Sequence, residues 1–381
     1  MLPADERLLL GPGPSLISPR VMRAMGAPML SHLDPQFLEI VDDLRARLAR
    51  VFQAPEESFA FAVSGTGTSA MEVAVANLVQ PGTRVLSIVT GYFGDRLADM
   101  CRRYGADVRK LDVEWGRASN PDDVRRAMSD RKTDVVTIVH AETSTGVLNP
   151  IDSIAEIAHE HDALVIVDAV TSFGAMPLDV AGSHLDAVYS CSQKGLGAPS
   201  GVAPIVFSPR ALARRVPCRS FYFDLALLED YWLRRKYHHT MCASLIYALR
   251  EALMVVEEEG LQARWARHER HHLALAAGLD ALGLSLLPPQ GERLWTLNAV
   301  RVPPAVDEAA ARKHLLQRFN MEIGAGLGPL AGKIWRVGLM GSSSTAALVS
   351  LFLAAIEDAL REQHVQLSSG TGSQAALASL A

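Results

Sequence analysis

The chain has 381 residues, of which 49% are hydrophobic, enough to bury a large core and to form two domains. Its formal net charge of −5 argues against nucleic acid or an anionic membrane as a partner. No apolar run approaches the roughly 20 residues of a membrane span, and the leucines at 8–10 are too few for a signal peptide. The four cysteines lack CxxC spacing, so we expect free thiols and a cytoplasmic location.

Residues 1–20 are predicted to form an N-terminal arm that packs across a dimer, and residues 21–258 to form a large domain. Within the large domain, apolar strand-like runs alternate with helical patterns: strands at 84–89, 135–140 and 163–167, and helices at 95–104, 121–127 and 151–159. This alternation predicts an α/β fold with a mainly parallel, doubly wound sheet. Such sheets bind their ligands at the carboxyl ends of the strands.

A loop rich in glycine and hydroxyl groups, at 64–72, follows the apolar run at 59–63 and precedes a helical pattern. Free N–H groups and hydroxyls at a helix start suit a phosphate dianion. The loop does not end in Gly-Lys-Ser/Thr, so it is not a Walker loop, and it lacks the spacing of a dinucleotide fingerprint. Many such loops are ordinary capped turns, so this segment alone indicates a phosphate site only weakly.

Asp168 ends a continuous apolar run that begins at Ala163 and is typical of a buried parallel strand. A carboxylate in that position needs a cationic partner, and the protonated ring nitrogen of pyridoxal phosphate is one such partner. The alternative is an ordinary cap of a helix or turn.

Lys194 lies in a glycine-lined turn after a second apolar strand. From His184 to Phe207 the formal charges are Asp186 and Lys194, so we expect a partly desolvated amine. A neutral amine is a nucleophile that can form an imine. The alternative is a lysine at a strand end that extends into water.

After residue 258 the pattern changes to a long charged helix, short strands near 294–302 and 334–338, and helices near 307–319 and up to 362. Residues 259–365 are therefore predicted to form a smaller α+β domain. Residues 366–381 are rich in Ser, Gly and Ala and are predicted to be a flexible tail.

The segment His268–His272 fits the H-E-x-x-H pattern of zinc metalloproteases, with His268 and His272 one helical turn apart. A catalytic zinc needs a third protein ligand. The nearest downstream acid outside this helix, Glu292, lies in a turn. We therefore interpret the segment as an ordinary helix and predict no metal site.

Several short motifs recur in the order and spacing of one enzyme family. In addition to the segments around Thr66, Asp168 and Lys194, they are Leu-Gly-Pro-Gly-Pro-Ser at 10–15, Ala-Glu-Thr-Ser-Thr-Gly-Val at 141–147, Tyr-His-His-Thr at 237–240 and Ile-Trp-Arg-Val-Gly at 334–338. From about residue 8 to residue 362 the chain resembles the class V pyridoxal phosphate aminotransferases, specifically the alanine:glyoxylate and serine:pyruvate (serine:glyoxylate) group. The resemblance implies the aspartate-aminotransferase-like (fold-type I) architecture.

The resemblance also implies a role for each matching residue. Lys194 binds the cofactor as a Schiff base and carries the proton, while Asp168 pairs with the ring nitrogen. The remaining cofactor ligands are Thr66, Gly67, Thr68 and Gln193 for the phosphate, Val170 and Phe93 for the ring faces, and Thr143 for the 3′-oxygen. Phe93 replaces the Trp, and Thr68 the His, often found at these positions.

Two further assignments concern the substrate and the partner subunit. Arg336 is the expected carboxylate anchor, and Gly13 is expected beside the substrate. Tyr237 and Thr240 match residues that reach the phosphate of a neighbouring subunit, which implies a homodimer with shared active sites.

The implied activity is transfer of an amino group from alanine or serine to glyoxylate or pyruvate. The alternatives within the fold are ureidoglycine:glyoxylate transamination and a lyase or desulfurase-like activity. A non-catalytic binding module of the same fold is a further alternative, against which intact Lys194, Asp168 and Arg336 argue.

Overall fold

A computed structural model describes residues 6–381. In chain order the strands are β1 (Leu8–Leu9), β2 (Phe59–Gly65), β3 (Arg84–Val89), β4 (Asp107–Asp112), β5 (Val135–Val139), β6 (Ala141–Glu142), β7 (Val147–Leu148), β8 (Leu164–Asp168), β9 (Ala187–Tyr189), β10 (Gly201–Phe207), β11 (Leu297–Arg301), β12 (Met321–Glu322), β13 (Gly324–Ala325) and β14 (Ile334–Gly338). The α-helices are α1 (Pro19–Met25), α2 (Pro35–Val51), α3 (Gly67–Leu78), α4 (Tyr92–Arg103), α5 (Pro121–Asp130), α6 (Ile151–Glu160), α7 (Pro209–Ala213), α8 (Leu225–Arg234), α9 (Ala243–Glu259), α10 (Leu261–Ala281), α11 (Glu308–Phe319), α12 (Ala346–Glu362) and α13 (Thr371–Leu380).

The largest sheet has seven strands in the order β2-β10-β9-β8-β5-β3-β4. Strand β10 is antiparallel to both of its neighbours, and the other pairings are parallel. The predicted mainly parallel α/β sheet is therefore confirmed. Because of these directions, five strands end at the same edge of this sheet: β2, β3, β5, β8 and β9.

Local sequence signals account for several of these elements. Strands β5 and β8 are buried along their whole length, as their uninterrupted apolar sequence predicts. Helices α1, α2 and α5 each begin with a capping side chain followed by proline, a strong start signal.

Two main apolar cores divide the chain. The first contains buried side chains from Phe37 to Val256, and the second contains Leu10 and side chains from Ala274 to Ala376. The second core packs around α10–α12 and the three-stranded antiparallel sheet β11-β14-β13. We propose that the small domain starts near the beginning of α10.

The two chain ends differ from the sequence-based expectation. Within the predicted arm, β1 pairs with β12 and Leu10 is fully buried in the second core, so residues 8–10 belong to the small domain of their own chain. Residues 1–5 of the arm lie outside the described part. The prediction of a flexible tail is wrong for α13, which packs against α10 and α12 and buries Ala376 completely.

Within residues 6–381, no helix is both long enough and apolar enough to cross a membrane.

Candidate active site

A cavity of about 210 Å³ opens where the parallel strands end. It is lined by Thr66, Gly67, Thr68, Met71, Phe93, Arg96, Val139, Thr143, Asp168, Val170, Gln193 and Lys194. Nine of these residues were singled out from the sequence. The structure thus brings together one amine, one carboxylate, an aromatic ring and a hydroxyl-rich loop from separate strand ends.

The hydroxyl-rich end of the cavity is the start of α3. Gly65 has φ +135°, and a Cβ there would lie 2.1 Å from the Ser69 hydroxyl, so the turn requires glycine. A Cβ on Gly67 would lie 3.0 Å from Val170, which explains how closely the helix start approaches the end of β8. Thr66 makes no side-chain cap hydrogen bond, and the N–H groups of Gly67 and Thr68 have no acceptor within residues 6–381. Such a helix start suits an anion.

Asp168 lies at the end of β8 and is 3% exposed. Its carboxylate accepts hydrogen bonds from the Val170 N–H at 2.8 Å and from the Tyr189 hydroxyl at 2.9 Å. Burial raises the pKa of Asp168 to about 6, although these two donors oppose the shift. A cationic group beside the carboxylate would lower the pKa of Asp168 and stabilise its charged form, so this position favours a cationic ligand.

Lys194 follows β9, and its amine donates a hydrogen bond to the carbonyl oxygen of Pro12. Burial lowers the pKa of Lys194, and the charge of Arg336 acts in the same direction. Gly13 lies against the lysine, because a Cβ on Gly13 would be 2.7 Å from Lys194 Cδ and Cε. The amine is therefore desolvated and held by the N-terminal segment, which favours its neutral, nucleophilic form.

Arg336 lies on β14, outside the cavity lining but close enough to influence Lys194. Its Nε donates to the carbonyl of Ala325 at 2.7 Å, and Nη1 donates to the carbonyl of Thr143 at 3.3 Å. It forms no ion pair within residues 6–381. Burial lowers the pKa of Arg336 to about 10, so the side chain stays charged at neutral pH and can bind a carboxylate.

Phe93 is positioned by a carboxylate that the sequence did not single out. Glu142 is fully buried, and it accepts hydrogen bonds from the Gly94 N–H at 3.1 Å and the Ser144 hydroxyl at 2.6 Å. Gly91 must be glycine for this contact, since a Cβ there would lie 2.5 Å from Glu142. Glu142 thereby fixes the first turn of α4, which carries Phe93.

Other residues of the site were also missed from the sequence. Met71, Val139 and Arg96 line the cavity, and Tyr189 holds Asp168. Arg96 is three residues after Phe93 and therefore on the same helix face, a spacing that could have identified it.

Of the four predicted residues that do not line the cavity in this chain, Arg336 and Gly13 lie close to Lys194, and the other two are exposed. Tyr237 is 63% exposed and packs near His32, and Thr240 is also exposed. Their neighbour His239 lies 3.2 Å from the hydroxyl of Ser64, just before the phosphate-type loop.

The histidines of the H-E-x-x-H segment have structural partners. His268 donates through Nδ1 to the carbonyl of Arg264 at 2.7 Å and accepts from the Gly341 N–H at 3.0 Å. His272 Nδ1 lies 2.7 Å from the side-chain oxygen of Asn298. Both imidazoles therefore make structural contacts of α10, His268 with Gly341 and His272 with Asn298 of β11.

Known proteins resemble this chain both in sequence and in structure. Residues 9–331 match the family model described as aminotransferase class-V. The (S)-ureidoglycine–glyoxylate transaminase of Bacillus subtilis (strain 168) is 37% identical over 97% of this chain and 94% of its own. The crystal structure of an alanine–glyoxylate aminotransferase from Nostoc sp. has a TM-score of 0.91 and 44% identity, covering 94% of this chain and 97% of that one. The crystal structure of a pyridoxamine–pyruvate aminotransferase from Mesorhizobium loti has a TM-score of 0.94 and 30% identity, covering 99% of this chain and 97% of that one.

Proposed function

Because this chain belongs to the class V aminotransferase family and is a pyridoxal phosphate-dependent transaminase, we propose that it transfers the amino group of alanine or serine to glyoxylate or pyruvate. The predicted enzyme class, cofactor and fold are confirmed by the family match and the solved relatives. The choice of these small substrates is the part that remains a proposal.

The observation that carries the proposal is the tight packing around Lys194. Pro12 accepts the hydrogen bond of the amine, Gly13 touches its methylenes, and the cavity measures only about 210 Å³. A cofactor bound in the same cavity would share this space with the substrate, and Pro12 and Gly13 close it off beside the lysine. This arrangement favours amino acids with short side chains.

The residues present fit pyridoxal phosphate. The free N–H groups of Gly67 and Thr68 suit its phosphate, and Asp168 suits its ring nitrogen. The side-chain oxygen of Gln193 is buried without a hydrogen-bond partner within residues 6–381, a cost that a bound ligand can remove. Phe93 and Val170 line the same cavity and supply the two ring contacts.

The chemistry that the cofactor supplies when bound is withdrawal of electrons from the substrate's Cα. Arg336 binds the substrate carboxylate and so orients the Cα–H bond. Lys194 would hold the cofactor until the incoming amino acid displaces it, and its freed neutral amine could then take the proton from the substrate Cα. The Pro12 carbonyl holds that amine in place, and Asp168 keeps the ring nitrogen protonated.

Covalent attachment at Lys194 is directly testable. Borohydride reduction of the loaded enzyme should fix the cofactor on the peptide that contains Lys194, as peptide mass spectrometry would show. Lys194→Ala should lose both the fixation and the activity, whereas Lys313→Ala, on the exposed face of α11, should retain both. Full activity of Lys194→Ala would contradict the assignment.

The donor is best identified by single-turnover absorbance spectra. We expect alanine or serine to convert the bound cofactor at least tenfold faster than glutamate, because Pro12 and Gly13 close off the space beside Lys194. Fastest conversion by a long acidic amino acid would overturn the proposal. Fastest conversion by (S)-ureidoglycine would favour the second candidate, which the 37% identity to the Bacillus subtilis enzyme supports.

The two buried thiols, Cys101 and Cys191, are poorly suited to a desulfurase-like activity. Burial raises the pKa of Cys101 and of Cys191 to about 12, so neither is a thiolate at neutral pH. Cys101, Cys191, Cys218 and Cys242 are all unpaired in the structure. Free thiols support the inference of a reducing compartment such as the cytoplasm.

We also infer a homodimer whose active sites are shared. Tyr237 is 63% exposed and Phe221 is 73% exposed, an aromatic surface that favours a protein partner. Mixing Lys194→Ala with Tyr237→Ala should restore about a quarter of wild-type activity. About half of the randomly formed dimers contain one chain of each variant, and in each of these one of the two sites is intact. Activity equal to the mean of the separate variants would exclude shared sites.

A further inference from the structure

Arg96 is a cavity residue whose charge none of the roles described so far uses. It lies on the second turn of α4 and lines the same cavity as Lys194. Its Nη1 donates to the Thr68 hydroxyl across 3.4 Å. The guanidinium carbon is 5.1 Å from the centre of the Phe93 ring and 5.2 Å from that of Tyr92. These contacts hold the side chain on the cavity side of the helix.

Arg96 has no ion-pair partner within residues 6–381, although other charged residues of its helix do. Arg103 pairs with Asp99 at 2.8 Å, and Asp95 pairs with Lys110 at 2.8 Å. An arginine is charged at every pH at which the protein works. Arg96 is therefore an uncompensated positive charge at the wall of the cavity.

Arg96 lies at the end of the cavity that is formed by the start of α3. Thr68 belongs to the first turn of α3, where the N–H groups of Gly67 and Thr68 are free. The other residues that suit a phosphate at this end, Thr66, Thr68 and Gln193, are all neutral. A phosphate monoester carries close to two negative charges at neutral pH, and burying it beside neutral donors alone is costly.

We propose that Arg96 is the charged ligand of the cofactor phosphate, held in place by Phe93 and Thr68. The guanidinium can offer two parallel N–H donors to phosphate oxygens, and Phe93 would then connect the ring site with the phosphate site. The proposal rests on the cofactor and is independent of which amino acid is the donor.

The experiment compares pyridoxal phosphate with pyridoxal, which lacks the phosphate. Dissociation constants of the full-length enzyme for both compounds are measured by ultrafiltration, for the wild type and for Arg96→Gln. We expect Arg96→Gln to weaken the binding of pyridoxal phosphate by about 10- to 100-fold, as for loss of a charged hydrogen bond. Binding of pyridoxal should change less than about twofold.

Two further variants make the comparison specific. Arg103→Gln removes an exposed arginine from the same helix and should leave both affinities unchanged. Arg96→Lys keeps the charge without the two-donor fork and should fall between the wild type and Arg96→Gln. If Arg96→Gln fails to fold, Arg96→Lys still tests the proposal through the ratio of its dissociation constants for pyridoxal phosphate and pyridoxal.

Two results would overturn the proposal. Equal weakening of both compounds would mean that Arg96 only positions Phe93. Unchanged affinity for pyridoxal phosphate, together with a raised KM for amino acids, would mean that Arg96 contacts the substrate. Neither result bears on the donor preference, which the single-turnover spectra decide separately.

Discussion

Replacing Gly13 with alanine tests how the amine of Lys194 is held. A Cβ on residue 13 would lie 2.7 Å from Cδ and from Cε of the lysine. Non-bonded carbon atoms pack at about 3.5 Å, so the two groups must separate by roughly 0.8 Å. Gly13 also has φ +111°, which an alanine adopts only with strain.

The magnitude follows from these two effects. Backbone strain at such a position costs about 1–3 kcal/mol of stability. Displacing a reacting group by about 1 Å can cost on the order of 100-fold in rate. We therefore expect kcat/KM of Gly13→Ala to fall about 10- to 100-fold.

A control variant separates strain from displacement. Gly82 has φ +85°, and a Cβ there would meet nothing within 4 Å, so Gly82→Ala carries strain alone. Thermal unfolding should show a loss of stability in both variants, while steady-state kinetics should show lost activity only in Gly13→Ala. If Gly13→Ala retained activity within twofold of Gly82→Ala, the idea that Gly13 positions Lys194 would be refuted.

Three further predictions follow from the site. The folded, cofactor-free protein holds a proton on Asp168 up to its raised pKa of about 6, whereas an unfolded chain releases it near pH 4. Stability should therefore fall by about 3 kcal/mol as the pH rises through that window, and urea unfolding of Asp168→Asn should lack this loss. Arg336→Lys should raise KM for the amino acid about tenfold or more, which steady-state kinetics can check, because lysine lacks the two-donor fork. Glu142→Ala should lower the free energy of unfolding by about 3 kcal/mol, since it leaves the Gly94 N–H unpaired, whereas exposed Glu156→Ala should not.

The sequence predicted those elements whose pattern is local. The apolar runs Arg84–Val89 and Ile334–Gly338 form strands with the predicted bounds. The helix predicted to start at Asp307 has that residue as its cap, with the side chain accepting from the Ala310 N–H. In each case the hydrophobic period or the capping residue lies within the segment itself.

The tail was misjudged because its stabilising contact is distant. Thr371–Leu380 is rich in small residues, which suggests weak packing when read alone. In the structure the small residues permit close approach: a Cβ on Gly278 would lie 2.8 Å from the carbonyl oxygen of Gly372. A composition typical of mobile segments thus also suits two closely packed helices, and only the partner α10 distinguishes the cases.

Glu142 and Tyr189 were missed for a related reason. Each acts through another residue, Glu142 on the start of α4 and Tyr189 on Asp168. Their roles depend on neighbours 48 and 21 positions away, which no local pattern encodes. By contrast, Lys194 and Asp168 stand out because an isolated charge after an apolar strand is itself unusual.

The segment 10–15 connects the two halves of the site through the backbone. Leu10 is buried in the small-domain core, and its carbonyl accepts from the N–H of Gly338 at 2.8 Å, at the end of the strand that carries Arg336. Five residues later the Ser15 hydroxyl donates to the carbonyl of Lys194 at 2.8 Å. One short stretch of chain therefore sets the spacing between Arg336, the proposed carboxylate anchor, and the amine of Lys194. A substitution that shifts this stretch must change substrate affinity and turnover together, whereas one confined to the phosphate end should change cofactor affinity alone.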